Sequence, residues 1–569
     1  MEPKFIKKSE IVGCLSTHFS SVGKDMAAAY QNLNIPNLKD PLDFISEKSC
    51  HLSQLSKTIL SEIIDLIQGL DENKSCGYDL ISNKILKASC SVIAPFLVTL
   101  FNLCLHSGIF PQQFKIENMI PLHKGGDRLN LNSYRPISLL PAISKLFEKI
   151  ISTRLLDYFN VNELFSKYQF GFREGFTTEF AILDIYEKLL SNLDKGNVTC
   201  SIFLDLAKAF DSVSHDILIR KLEKYGIKGE VLKLFISYLE ERFQFVEIDK
   251  IKSTLNLIEF GVPQGSILGP LLFLICINDL PEATDFFIKL YADDTFLCAQ
   301  NDDIFLLEEQ VNFELDKVFK WLASNKLTLN ISKSKFMSTT RKKKISKEIS
   351  VKINGKKLEN CNSYKYLGVY FDKDLCWTPH IDYVNQKISK VCGPLSKLRN
   401  CVDIDTLREV YHALMHSYLR YGIIAWGTAP PTNLKPLEAI LNRAIRIMCF
   451  APFGKIDLEP LYKTLEILKI DQIYSLEVGK FVFKQKNNLL PVCIAQHFDV
   501  RIAPQHGYNL RSNNETRAPI LVHRTLLGEK SIQTRGFEEW EKIPEEIKAI
   551  VSPTLFKKKL KIYALTSDS

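Results

Sequence analysis

Two adjacent aspartates, Asp293 and Asp294, interrupt an apolar stretch, FFIKLYADDTFLC at 286–298. Two runs of β-forming residues around a short polar tip predict a tight hairpin. Burying uncompensated carboxylates is costly, so positive charge is expected beside them. A divalent cation is the simplest source, because hard oxygen ligands suit Mg²⁺. A further carboxylate, Asp205, ends the buried run Ser201–Leu204 in SIFLDLAKAFDSVSHDIL, 201–218. The C-terminal end of a buried strand is where α/β folds place chemistry. Asp211 and Asp216 read instead as helix-capping residues. If the two strands are neighbours, Asp205 and Asp293 converge. Such carboxylates could hold two Mg²⁺ ions about 3.5–4 Å apart, the arrangement for in-line phosphoryl displacement. One ion would favour deprotonation of an attacking 3′-hydroxyl; the other would meet the charge developing on pyrophosphate.

Other elements must bring a substrate to these carboxylates. In MIPLHKGGDRLNLNSYRPISLL, 119–140, a strand at Met119–Leu122 leads Lys124 into a Gly-Gly-Asp turn, and Arg135 follows. A lysine point charge and an arginine fork beside glycines can hold a polyphosphate. No Walker A pattern is present, which excludes a P-loop. QFGFREGFTTE, 169–179, reads as a glycine- and aromatic-bearing loop with Arg173, suited to close approach to backbone or nucleotide. GVPQGSILGPLLFLICINDLP, 261–281, places Gln264, able to donate and accept, beside Gly265, which permits close approach to a ligand. An apolar core helix follows it. Helix-compatible AKAFDSV follows Asp205, and 243–258 reads as a hairpin turning around Asp249 to Ser253.

Elsewhere, residues 53–70, 75–87, 91–109, 142–160, 216–241 and 306–321 show helical spacing; 325–337 is a turn and strand with Lys333 and Lys335, and 350–371 alternates as two or three strands. From His380 to about Cys449 the pattern is helical. Lys387, Lys390, Lys397, Arg399, Arg420, Arg443 and Arg446 are interleaved there with Tyr411, Tyr418, Tyr421 and Trp426. Such a surface could track phosphates. Residues 1 to about 50 look like a linker with one or two helices. The run 341–344 is an exposed basic loop, and 501–530 is a polar section.

The chain has 569 residues, enough for three or four domains or subdomains. A net charge of +8 and a pI near 8.6 fit a polyanionic partner. The 14 cysteines are scattered, with no CxxC pair and no zinc-finger spacing. That argues against a disulfide framework and for a reducing compartment. The longest apolar stretch read from the sequence, Ile267–Ile277, is too short to span a bilayer. No signal-peptide core opens the chain. Nucleus or cytoplasm is the expected location, with no membrane partner.

Taken together and in order, these motifs resemble the reverse transcriptases of non-LTR (LINE-type) retrotransposons, jockey-like elements above all, from about residue 60 to 560. The resemblance implies an α+β right-hand polymerase: fingers, a palm with an antiparallel sheet, a helical thumb, and a mostly helical C-terminal region. It implies an RNA-directed DNA polymerase using an RNA template, a DNA primer or target, dNTPs and two Mg²⁺ ions, with Mn²⁺ as a possible substitute. LDLAKAFDSV would supply the metal aspartate Asp205, the backbone of Leu206, and Phe210 as a steric gate against the ribose 2′-hydroxyl. YADD would supply Asp293, the first-choice ligand, and Asp294 in support. Gln264 and Gly265 would position template and nucleotide. In NISKSK, Lys333 is favoured over Lys335 for assisting pyrophosphate departure. YLGV, with Tyr366, Leu367 and Gly368, resembles a primer grip. Lys124 and Arg135 fall in fingers motifs, and 169–178 in a further fingers element.

The expected boundaries are a linker remnant at 1–50, fingers and palm at 51–375 with a core at about 103–372, thumb helices at 376–450, and a C-terminal region at 451–569. The family's endonuclease domain, cysteine/histidine knuckle and RNase H site are not recognisable, so truncation is expected. A catalytically silent nucleic-acid-binding remnant is the alternative reading.

Overall fold

The structure, a computed structural model, describes residues 7–31, 35–342, 348–452, 454, 456–497 and 523–566. Val12, Leu15, Phe19 and Val22 recur at helical spacing, and they form the buried side of a 24-residue helix, α1 (Lys8–Gln31). The region read as a linker thus holds a docked helix. Its overall polarity had outweighed its periodicity.

α1 lies on a five-stranded sheet made of β1 (Ile116–His123), β2 (Tyr134–Leu139), β4 (Arg242–Ile248), β5 (Ile251–Lys252) and β6 (Asn256–Ile258), with β3 (Val198–Asp205) belonging elsewhere. β1 runs antiparallel to β2 and parallel to β4. Val12, Leu15 and Phe19 of the helix pack with Met119 and Val246 of the sheet.

The second sheet has the order β12-β9-β3-β8-β7, adding β7 (Phe287–Tyr291), β8 (Asp294–Asn301), β9 (Lys335–Thr339) and β12 (Glu359–Asn360). A small hairpin of β10 (Lys352–Ile353) and β11 (Lys356–Lys357) precedes β12. β13 (Ser363–Tyr366) and β14 (Val369–Asp372) form another hairpin. β3 is central, flanked antiparallel by β8 and β9. Val198–Leu204 is buried on both faces, which is why it shows no polar alternation beyond the small hydroxyls of Thr199 and Ser201.

After Asp205 the chain does not become helical. The carbonyls of Phe210 and Val213 accept from Val262 and Gly261, Leu206 bridges to Leu329, and the next helix opens only at His215. Long-range partners override a local sequence that would tolerate a helix.

Helices Ala142–Val161 and Leu268–Ile277 fill the core between the sheets. The helix Cys90–Ser107 is long and apolar enough, by length and composition, to cross a membrane. Its Ala94, Leu97, Phe101 and Cys104 face packs into the core, while Val92, Phe96 and Leu103 are exposed. From Thr378 onward the described chain is almost wholly helical, with a π-helical turn at His412–His416. These helices share a second core with helix Thr178–Asp194 and with Phe203, Phe296 and Tyr366. The basic run 341–344 and the polar section 501–530 fall largely outside the described residues.

Candidate active site

The hairpin at Asp293–Asp294 is built as expected, with a two-residue turn between Tyr291 and Asp294. Ala292 takes φ +55°, uncommon for a residue with a side chain. A segment the sequence reading had not connected to the hairpin supports it. Gln169, fully buried, accepts through Oε1 from Ala292 N at 3.1 Å and from Gly171 N at 2.8 Å. Phe170 N donates to Leu290 O, and Leu290 N to Tyr168 O, so residues 168–170 cover the free edge of β7. A Cβ on Gly171 would lie 2.4 Å from Ala292 N, so only glycine fits. Lys289, buried in β7, pairs with Asp184. Arg173 donates to the carbonyls of Ser166 and Gln169 and lies over the rings of Phe165 and Phe176, so it braces this loop.

Asp205 and Asp294 are register partners across β3 and β8, and Asp293 stands next to them at the turn. Asp205 therefore pairs with Asp294 across the ladder, and Asp293 at the turn also feels the Asp205 charge. Desolvation at the tip, then Asp293 and Asp205, raise the Asp294 carboxyl to about 6. Asp293 is also held above the ordinary carboxylate range, by burial and by Asp205, with Arg135 and Lys124 opposing the shift. Like charges crowded this way form an anionic site.

Cations face it. Lys333 Nζ lies 3.8 Å from Asp205 Oδ2. Lys335 pairs instead with Glu359 at 2.8 Å, so the geometry brings Lys333 to the carboxylates. Lys124, tied by its N–H to Ser133 O, is held below the ordinary lysine range by partial burial and by Arg135, Lys208 and Lys333.

Phe210 stacks on Phe273 at 4.7 Å and meets Phe172 edge-on at 6.4 Å. Leu206 is buried. Gln264 Nε2 donates to Asp211 Oδ1 at 2.6 Å, and Gln264 O accepts from Ser138 N at 2.9 Å. Gly265, at φ +139°, packs so closely that a Cβ would lie 2.5 Å from Ser138 O. His215 Nε2 donates to Gly261 O at 2.7 Å. The tract from Asp211 to His215 is thus a clamp on the 261–265 loop. Asp211 is not the helix cap the sequence implied; Ser214 occupies that position. No local signal separates a capping aspartate from one bonded to an amide 53 positions away.

The β13–β14 hairpin turns through Leu367 at φ +45° and Gly368 at φ +86°. Tyr366 OH donates to Asp294 O at 3.4 Å, and Tyr421 OH to Leu367 O at 2.6 Å. This hairpin is fixed to the aspartates on one side and to the C-terminal helices on the other. Of the interleaved residues, Tyr411 and Trp426 are core. Arg420 pairs with Glu477, Arg446 donates to Pro452 O and Gly454 O, and Arg399 lies over Phe450. Lys387, Lys390, Lys397 and Arg443 remain exposed.

The donors at the centre are three carboxylates at adjoining strand ends, two of them held above the ordinary carboxylate range by burial and then by neighbouring carboxylates, a set that fits hard divalent cations. Among the described residues, no three His, Cys, Asp or Glu side chains already close into a cation cage.

A family model described as reverse transcriptase (RNA-dependent DNA polymerase) matches residues 122–371, which contain all of these parts except the helices from Thr378 onward. The chain is 30% identical over 411 residues to the RNA-directed DNA polymerase from mobile element jockey of Drosophila melanogaster, covering 70% of this chain and 44% of that protein. It is 31% identical over 412 residues to a probable RNA-directed DNA polymerase from transposon BS of the same species, covering 69% and 45%. For a probable RNA-directed DNA polymerase from transposon X-element the values are 30% over 397 residues, 68% and 43%. The chain spans somewhat under half the length of these curated relatives. Its matched motifs and its assembled carboxylate edge together identify a reverse transcriptase domain of the jockey-like non-LTR retrotransposon type.

Proposed function

We propose that the chain is an RNA-directed DNA polymerase that extends a DNA 3′ end on an RNA template with dNTPs. The observation that carries this is the pairing of Asp205 with Asp294 across β3 and β8, with Asp293 beside them and Lys124, Arg135 and Lys333 facing in. In this reading the sheet under α1 belongs to the fingers, the β3-centred sheet is the palm, and the helices from Thr378 to about residue 450 are the thumb. The described residues after 450 extend that helical region.

Asp205, Asp293 and Asp294 would hold two Mg²⁺ ions. When bound, the ions supply charge neutralisation for the phosphates and favour ionisation of the primer hydroxyl. The protein groups do the rest. Lys124 and Arg135 orient the triphosphate, and Lys333 stands where a proton and charge must reach the departing pyrophosphate. Phe210, wedged between Phe273 and Phe172, is backed by a ring that cannot yield, so it presents a fixed wall to the sugar. The clamp from Asp211 and His215 sets Gln264 and Gly265 against template and nucleotide. The β13–β14 hairpin, pinned by Tyr366 and Tyr421, holds the primer end relative to the aspartates.

The test is extension of oligo(dT) on poly(rA) by the purified chain with dTTP and Mg²⁺. The reading predicts incorporation that stops on chelation. Failure to incorporate dTTP in either Mg²⁺ or Mn²⁺ would overturn it.

A further inference from the structure

One lysine in the cationic neighbourhood has no role so far. Lys208 lies in the turn between Asp205 and Phe210, at φ +47°. Strained backbone of this kind clusters where geometry serves function. Its carbonyl accepts from Asp211 N at 2.9 Å and from Ser212 N at 3.1 Å, which fixes the turn. Its ammonium donates to Nε2 of His18 on α1, at 3.2 Å. Lys124 and Asp211 both feel the Lys208 charge, together with that of Arg135, and Asp211 in turn holds the Gln264 amide at 2.6 Å.

The partner chosen for Lys208 matters. A neutral imidazole can orient an ammonium but cannot cancel its charge. Burial and Lys208 itself keep His18 below the ordinary histidine range, hence neutral. The nearby carboxylate, Asp211, already accepts from Gln264. Lys208 feels Asp211 through space, and among the described residues closes no ion pair with it, so its ammonium can still meet an anion.

α1 is seated to hold His18 in place. Ser16 Oγ accepts from Ser253 Oγ and from Asn256 Nδ2, both at 2.9 Å. Gly23 passes so close that a Cβ would lie 2.3 Å from Asp211 O. The helix thus registers directly against the tract that carries Lys208.

We propose that Lys208 binds the phosphates of the incoming nucleoside triphosphate and that His18 of α1 is the residue that positions it. The proposal rests on the polymerase reading and extends it, making the N-terminal helix part of the nucleotide site.

The test uses the full chain on poly(rA)/oligo(dT) with titrated dTTP, and the variants Lys208→Ala, Lys208→Arg, His18→Ala and His18→Gln. Lys208→Ala should raise the dTTP KM about tenfold, the scale of one lost charge-assisted hydrogen bond. It should weaken pyrophosphate inhibition in parallel and leave primer–template affinity unchanged. Lys208→Arg should recover most of the loss. His18→Ala should raise KM by about threefold with kcat nearly intact, a smaller effect because Lys208 keeps its charge. His18→Gln, whose amide oxygen can also accept from the ammonium, should restore it. A second readout is dTTP-dependent stabilisation of the complex on a chain-terminated primer, which should weaken in Lys208→Ala. Unchanged KM in Lys208→Ala, or a loss of primer–template affinity in its place, would overturn the Lys208 role. His18→Gln as impaired as His18→Ala would overturn the positioning role. An inactive wild-type chain would instead overturn the polymerase reading, and this inference with it.

Discussion

Gly265→Ala adds one methyl group at the point where the 261–265 loop meets β2. The new Cβ would stand 2.5 Å from the carbonyl oxygen of Ser138, a backbone atom that cannot rotate away. The φ of +139° is strained for any residue with a side chain, by roughly 1–3 kcal/mol. Relief requires the loop to move, which breaks the 2.9 Å bond from Ser138 N to Gln264 O, worth about 1 kcal/mol net. The displaced loop forfeits that bond but sheds the φ strain and the clash, so the present position is disfavoured by up to about 2 kcal/mol from φ alone, up to roughly 30-fold in kcat/KM if that position is the active one, and by more once the clash is added. Because the strain can be relieved by a loop, thermal unfolding should shift little. The assay is kcat/KM for dTTP on poly(rA)/oligo(dT), with the unfolding midpoint and primer–template affinity measured alongside. A variant within twofold of wild type in kcat/KM would refute the claim that the loop must sit against Ser138 during turnover.

Phe210→Ala should lower the preference for dTTP over UTP at least about tenfold, since a wall rather than a hydrogen bond excludes the 2′-hydroxyl; an unchanged ratio removes the gate. Asp211→Ala frees the Gln264 amide and should cut kcat/KM about tenfold, on the scale of one hydrogen bond to a charged partner, with Asp211→Asn recovering part of it; equal activity in all three forms would dismiss the clamp. For Glu187 the folded carboxyl is raised from 4.5 to about 8, by burial and then by Asp184, with Ile532 N–H opposing. The folded chain then keeps a proton that the unfolded chain loses, so stability should fall as pH rises from about 4.5 to about 8 and level off above. Glu187→Gln should flatten that slope in thermal unfolding; an identical slope in the variant contradicts it.

The strand carrying Asp205 and the hairpin carrying Asp293 and Asp294 were legible because their signals are local. A run of small and apolar residues without charge marks a strand buried on both faces, and a carboxylate at its end stands out against it. Gly265 was legible on the same footing, whereas Lys333 was favoured over Lys335 only through the family resemblance. What was hidden depends on partners far along the chain. Asp211 looks like any capping aspartate until Gln264 arrives, and Gln169 looks like a loop residue until Ala292 does. The AKAFDSV tract has helix-tolerant residues, yet its carbonyls go to Val262 and Gly261. A helix was legible in the first fifty residues but its docking was not, because exposed Lys8, Glu10, Thr17, Lys24 and Asp25 dilute one apolar stripe. Arg420 and Arg446 share the spacing of phosphate-tracking cations, but Glu477 and two carbonyls claim them.

The central claim is that the carboxylate edge at Asp205, Asp293 and Asp294 performs nucleotidyl transfer. Asp293→Asn keeps the shape of the side chain and removes its charge. On poly(rA)/oligo(dT), measured beside wild type, the variant should bind primer–template within a few-fold of wild type and extend no primer; extension at a rate near that of wild type would contradict the assignment.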